Sequence, residues 1–275
     1  MLALRLLTTA VFFALFILGM LIPEFGRVLF PVFIVFATLT GSWEYFTMCR
    51  SRGLHPPRVF GLIFSMAVLL VAGENLFELF PVLLSIAVIL TALLQMNRAG
   101  HENFTAEIGA AVFGYVYVSL PMAFVLVILA QAEIALRSVV FMLIVSWSSD
   151  TGAYAIGRIC GKHKLSPRLS PGKTIEGALG GVSLSLLAAA LLSLFAPGMN
   201  VVFPLSHALL LGLLFSVVGQ AGDLVESALK RDAGIKDSGI IIPGMGGMLD
   251  VIDSLLVCAP ILFIYLILTW KDLVW

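Results

Sequence analysis

A chain of 275 residues that is 60% apolar and only 12% charged carries about half the charge of an ordinary globular domain and more apolar surface than a single core of that size hides. The surplus faces lipid. Sixteen basic residues balance 16 acidic ones, which excludes a nucleic-acid binder, since that needs a basic face to neutralise phosphates.

A bilayer core of ~30 Å takes about 20 apolar helical residues. Runs of that length, broken by charge, Gly or Pro, predict nine spans: 4–22, 28–48, 59–73, 76–96, 106–130, 134–157, 174–196, 203–229 and 249–270. The third and fourth are poorly separated around Gly73-Glu74-Asn75. In the first, Arg5 is followed by the apolar Leu6–Ile22, which is too long for a secretory leader, and no small-x-small cleavage site precedes Glu24. With the N-terminus cytoplasmic, Arg5, Arg50, Arg52, Arg58, Arg98, Arg158, Lys162, Lys164, Arg168, Lys173, Lys230, Arg231 and Lys236 share one side. That is thirteen of 16, with Arg27, Arg137 and Lys271 opposite. The expected fold is therefore all-α, a polytopic transmembrane bundle. Residues 1–133 supply about five spans, and 134–275 form the region that carries the chemistry, with cytoplasmic loops. The lack of an organelle-targeting extension before span 4–22 sets the expectation of a bacterial plasma membrane.

Cys49, Cys160 and Cys258 stand far apart with no metal-ligand spacing, so they read as free thiols acting as small hydrophobes. Charge is more informative. Of the 32 charged residues, 16 lie between Asp150 and Asp253. The first five spans carry few ionisable groups in their interiors; Glu44 and Glu107 are exceptions, and a structural role is the stronger reading for both.

The run Ser146-Trp-Ser-Ser149-Asp150-Thr-Gly-Ala-Tyr154 breaks an apolar span with hydroxyls and a carboxylate. Polar groups in hydrocarbon are costly unless they face a wet cavity or a partner. A helix contact accounts for the serines more readily than for Asp150. Residues 158–173 then carry Arg158, Lys162, Lys164, Arg168 and Lys173 with no acid. Ser170-Pro-Gly-Lys173-Thr174-Ile-Glu176-Gly177 joins a turn, a cation and a candidate N-cap hydroxyl at the mouth of a span, where exposed amides suit an anion. The Walker spacing is absent.

The densest segment is Gly219-Gln-Ala-Gly-Asp223-Leu-Val-Glu226-Ser227-Ala-Leu-Lys230-Arg231, continuing through Asp232–Gly239 to Pro243-Gly-Met245-Gly246-Gly247-Met-Leu-Asp250-Val251-Ile-Asp253-Ser254. Asp223, Ser227 and Lys230 follow a helical i, i+4, i+7 spacing, and Asp250 and Asp253 lie one turn apart on the next helix. Two helices are thus expected to bring carboxylates to one vestibule. Hard oxygen ligands of this kind suit Mg²⁺, which takes one or two carboxylates beside substrate phosphates. Glycines 244, 246 and 247 allow backbone to approach a ligand.

At these residues, roughly 146–257, the chain resembles the phosphatidate cytidylyltransferases, or CDP-diacylglycerol synthases. The resemblance rests on Ser149-Asp-Thr-Gly-Ala-Tyr154, Gly157-Arg158, Gly161-Lys-His-Lys164, Ser170-Pro-x-Lys173-Thr-x-Glu176-Gly177, Gly222-Asp223-Leu-x-Glu226-Ser-x-x-Lys230-Arg231 through Lys236-Asp237-Ser238, and Pro243-Gly-x-Gly-Gly-x-x-Asp250-x-x-Asp253-Ser. It implies a multi-helix membrane enzyme, commonly dimeric, that converts CTP and phosphatidic acid to CDP-diacylglycerol and pyrophosphate with Mg²⁺ and allows a second cation. Asp223 and Asp250 match the metal-binding aspartates; with Lys173 and Lys230 they form the expected catalytic set. Ser149, Asp150, Arg158, Lys164, Ser170, Glu176, Glu226, Arg231, Lys236, Asp237, Gly246, Gly247 and Asp253 are the expected substrate contacts. Met245 and Val251 stand where the family pattern has His and Arg.

Two rivals compete. A CTP-dependent polyprenol or phytol kinase would use an alcohol as nucleophile. An ion-coupled transporter would use Asp150, Asp223 and Asp250 as coordination sites along a pathway.

Overall fold

The computed structural model describes residues 18–19, 22–96, 103–131, 134–242 and 246–270. Most of the expected span 4–22, all but residues 18, 19 and 22, and the residues Pro243, Gly244 and Met245 lie outside them. The described elements are α1 (Pro23–Ser51), α2 (Arg58–Gly73), a 3₁₀ turn (Phe77–Leu79), α3 (Phe80–Met96), α4 (Phe104–Ala130), α5 (Ala135–Cys160), β1 (Lys164–Ser166), β2 (Ser170–Thr174), α6 (Ile175–Phe195), α7 (Met199–Val202), α8 (Leu205–Asp232) and α9 (Leu249–Thr269). Seven helices among the described residues are long and apolar enough to cross a membrane, and the protein is an integral membrane protein. The apolar α2, with 16 residues, reaches only ~24 Å at 1.5 Å per residue.

The all-α expectation meets one exception. The cationic segment after α5 folds into an antiparallel ribbon, Lys164 opposite Thr174 and Ser166 opposite Ser170. Thr174 leaves the strand with extended φ −127° and ψ 156° and caps α6 at once, accepting a 3.1 Å hydrogen bond from the Gly177 amide. The helix start and the strand end are therefore one structural event. The poorly separated third and fourth spans part at Asn75, whose φ of +58° breaks the helix.

The chain divides into two compact units. One comprises Met1–Ala130, Leu229–Ile252 and Trp275, the other Gln131–Ala228 and Asp253–Val274. In the first unit, hydroxyls link helices through the apolar interior: Ser65 Oγ lies 3.2 Å from Ser42 Oγ and 2.8 Å from Ser119 Oγ, joining α1, α2 and α4. Tyr115, fully buried in the π-helical turn of α4, meets Thr91 of α3 at 2.9 Å. Glu107 accepts from the His55 amide at 2.9 Å and so fastens the α1–α2 connection.

In the second unit, glycine sets the approach of α5 and α6. A Cβ on Gly152 would stand 2.6 Å from the Gly180 carbonyl oxygen, one on Gly177 2.7 Å from the Ala153 oxygen, and one on Gly181 2.9 Å from the Ser149 oxygen. Gly177 and Gly181 thus pack against a helix of the same chain.

Candidate active site

The close α5–α6 contact fixes one wall of a cavity of about 490 Å³ in the second unit. Asp150, Ala153, Tyr154, Gly157 and Arg158 line it from α5; these are positions i, i+3, i+4, i+7 and i+8, one face of a helix. Ser170, Gly172, Lys173 and Thr174 contribute from β2, Leu165 from β1, Gly177 and Ala178 from the first turns of α6, and Gln220 and Asp223 from α8. Five expected site residues, Asp150, Arg158, Ser170, Lys173 and Asp223, share this lining.

Lys173 Nζ pairs with Asp223 Oδ2 at 2.5 Å, tying the ribbon to α8. Asp223 also belongs to a carboxylate group: one oxygen each from Asp223, Glu226 and Asp253 lie within 4.8 Å of one another, with Glu226 and Asp253 buried. Three like charges this close in a low-dielectric interior repel unless a cation or protons compensate them. The donor set is all hard oxygen, and it fits a divalent cation such as Mg²⁺.

Other expected residues do different work. Ser149 is buried and faces Ser216 Oγ at 2.7 Å, a helix-to-helix contact outside the cavity lining. Glu176 accepts from the amides of Lys162 (3.0 Å) and His163 (3.2 Å) and meets His163 Nδ1 at 2.5 Å, clasping the base of the ribbon. Lys164 lies exposed on β1.

The remaining expected residues belong to the first unit. Asp250 is heavily engaged there. Its Oδ1 receives Lys230 Nζ at 2.5 Å, and its Oδ2 accepts from Ser238 N (2.9 Å), Ser238 Oγ (2.8 Å) and Gly247 N (2.8 Å). Gly246 needs its φ of +110°, and a side chain there would press on Asp250 Oδ2 at 2.7 Å. Glu44 caps α9 from a distant stretch of sequence: the Met248 amide donates to Oε1 at 3.0 Å, the Leu249 amide to Oε2 at 2.8 Å, and Ser238 Oγ to Oε2 at 3.1 Å. Arg231 donates to the Ile235 carbonyl at 3.3 Å, and Lys236 and Asp237 are exposed. Val251 is half-buried on α9.

Sequence reasoning assigned no role to Tyr154, Gln220 or His163. A signal was present for the first two, which sit four residues after Asp150 and three before Asp223 on the same helices. His163 is joined to Glu176 by the ribbon pairing, which spacing does not reveal.

A polytopic helical protein with a charge-lined cavity set among its helices falls in the class of integral membrane enzymes. More particularly, the chain belongs to the cytidylyltransferase family, whose model matches residues 3–269, and is a nucleotidyltransferase. It is 34% identical over 254 residues to the phosphatidate cytidylyltransferase of Bacillus subtilis (strain 168), covering 88% of this chain and 90% of that protein. It is 35% identical over 223 residues to the Escherichia coli (strain K12) protein YnbB, covering 79% of this chain and 73% of that one. A phosphatidate cytidylyltransferase of Staphylococcus epidermidis is 47% identical over 135 residues, about half of each chain. These findings favour the transferase over the transporter.

Proposed function

We propose that this protein transfers the cytidylyl group of CTP to phosphatidic acid, forming CDP-diacylglycerol and pyrophosphate in phospholipid synthesis. The observation that carries this reading is the cavity in which Asp150, Arg158, Ser170, Lys173 and Asp223 converge beside a buried carboxylate group; the names of the relatives support the choice of substrates.

A phosphate oxygen of phosphatidic acid attacks the α-phosphorus of CTP. One P–O bond forms as the bond to the bridging oxygen of the β-phosphate breaks, and its electron pair leaves with pyrophosphate. A phosphomonoester already carries about −1.5 to −2 charge at pH 7, so no general base is required, in keeping with Met245. Repulsion between two polyanions is the obstacle, and neutralisation with alignment is the remedy. Arg158 and Lys173 take phosphate oxygens at the cavity wall, with Lys173 exchanging Asp223 for the nucleotide. Asp223, Glu226 and Asp253 would hold Mg²⁺, alone or with a second cation. When bound, that ion supplies further neutralisation of the phosphates.

This proposal gives Asp250 a different part from the expected metal ligand: it anchors Lys230, Ser238 and Gly247. Lys164, Lys230, Arg231 and Lys236 gather anionic substrate. The basic-residue asymmetry supports nine spans, a cytoplasmic N-terminus and a cytoplasmic site in a bacterial inner membrane. The homodimer follows from the family resemblance.

Purified protein with labelled CTP, phosphatidic acid and Mg²⁺ is expected to yield a CDP-lipid and pyrophosphate, and EDTA to stop it. Release of CDP with a phosphorylated polyprenol would indicate the kinase instead, and absence of any CDP-lipid would overturn the proposal.

A further inference from the structure

The first unit holds a second concavity, about 480 Å³, that the proposed chemistry does not use. It runs between α1 and α2, lined by Leu39, Thr40, Trp43, Val59, Leu62, Ile63 and Met66, with Ile241 also in its lining. Its volume lies within the range of about 300–1,000 Å³ usual for ligand pockets. Thr40 does not make the trough polar, because its hydroxyl is bonded at 2.6 Å to the Phe36 carbonyl.

One end has the opposite character. The Arg58 guanidinium lies 3.5 Å from the centroid of the Trp43 ring, and its Nε is buried without a hydrogen-bond partner among the described residues. Arg50 stands close enough to act on it electrostatically. Two like charges repel each other, and an anion relieves both. An apolar trough with one guanidinium group stacked on its tryptophan and a second near enough to act on the first is complementary to an amphiphile with an anionic head.

We propose that this groove binds one anionic glycerophospholipid, an acyl chain lying along Leu39, Trp43, Ile63 and Met66 and the phosphate at Arg58 and Arg50. The lipid is retained, not consumed. A neutral lipid would leave the guanidinium groups uncompensated, and a protein face would have to insert both a narrow apolar ridge and an acid. Through Ile241, the occupant also braces the loop whose Ser238 bonds Asp250 and Glu44, so it acts on the anchoring of Lys230.

The test uses full-length protein in nanodiscs that contain a trace of photo-crosslinking lipid with the reactive group on the acyl chain. The head is phosphatidylglycerol in one arm and phosphatidylcholine, with identical chains, in the other. No CTP is added. Phosphatidylglycerol is expected to label peptides 39–66 and the segment around Ile241 well above phosphatidylcholine. Removing one cation with Arg58→Gln should cut that labelling about fivefold, the worth of one basic residue against an anionic surface, while thermal melting reports whether the variant folds. Equal labelling by the two heads would show only annular lipid and overturn the proposal. A protein–protein crosslink at these peptides would place a second copy in the groove and overturn it too. If Arg58→Gln fails to fold, the two-head comparison on the unaltered protein decides.

Discussion

Lys173 Nζ and Asp223 Oδ2 stand 2.5 Å apart, with 23% and 35% of their side chains exposed, so the cation that closes the ribbon onto α8 also neutralises one member of a carboxylate group. Removing it with Lys173→Met leaves Asp223, Glu226 and Asp253 without that charge. A fully buried pair costs ~3–5 kcal/mol to break; partial exposure screens this one, and about 1–2 kcal/mol is expected. The catalytic loss should be larger, about 10²–10³-fold in kcat, the size typical of one preorganised electrostatic contact. Calorimetry and steady-state kinetics read the two effects separately, and activity within twofold of wild type would remove Lys173 from the chemistry.

Asp223 and Asp250 are alike in sequence context but differ in their contacts. Asp223→Asn should nearly abolish turnover with little loss of stability. Asp250→Asn places an amide NH₂ among four donor contacts and should lower both, with a destabilisation of about 1–3 kcal/mol. Magnesium separates them further. A ligand at a hundred times its Kd stabilises by about 2.7 kcal/mol, so Mg²⁺ should raise the melting temperature of the wild type and of Asp250→Asn but not of Asp223→Asn, Glu226→Gln or Asp253→Asn. Retention of the full shift in Asp223→Asn would refute the assigned ligands.

The chain's own periodicity made most of this legible. Apolar runs located the long described helices, though not the short Met199–Val202, and the helical spacing of Asp150, Tyr154 and Arg158 anticipates the cavity wall. Asp223 and Glu226 are one turn apart and announce a shared face. Their third partner is different in kind: Asp250 and Asp253 are equally plausible from spacing, and only the packing of α9 sends one to Lys230 and the other to the carboxylate group. The ribbon was hidden because Lys164–Thr174 has neither apolar alternation nor β-branched residues other than its last; tertiary pairing, not propensity, makes it a strand. Glu44 illustrates the same limit, since no local pattern marks a carboxylate as the cap of a helix some two hundred residues later.

Ser149 is expected to be a packing residue. Ser149→Ala breaks its 2.7 Å bond to Ser216 and should cost about 1 kcal/mol while leaving KM for CTP unchanged in the radiolabel assay. A several-fold rise in KM at unchanged stability would return it to the substrate site.

The glycines of α5 and α6 separate packing from flexibility. An added Cβ at Gly180 would meet the Ile156 Cβ at 2.5 Å, and one at Gly152 the Gly180 carbonyl at 2.6 Å, whereas at Gly109 nothing lies within 4 Å. Gly180→Ala and Gly152→Ala should therefore destabilise by about 1–3 kcal/mol through overpacking and disturb the cavity wall they support. Gly109→Ala, in the open face of α4, should stabilise by up to about 1 kcal/mol through helix propensity. Thermal melts of the three variants in one detergent check the ordering, and equal effects would show that α5 and α6 do not depend on close backbone contact.

Glu44 accepts from the Met248 amide just before α9, from the Leu249 amide that begins it, and from Ser238 Oγ, while Gly239 and Gly247 leave room for its carboxylate. All three of these contacts are donors, so charge and acceptor capacity are both needed. Glu44→Gln keeps the shape but turns one acceptor into a donor, and a buried donor facing donors costs about 1–3 kcal/mol. Because Ser238 also bonds Asp250, the damage should spread to the Lys230 anchor. The variant is expected to melt lower and to show faster amide exchange at Met248 and Leu249 than wild type, with binding of Mg²⁺ at the carboxylate group of the other unit retained. Unchanged exchange at those two amides would mean that Glu44 does not hold the start of α9.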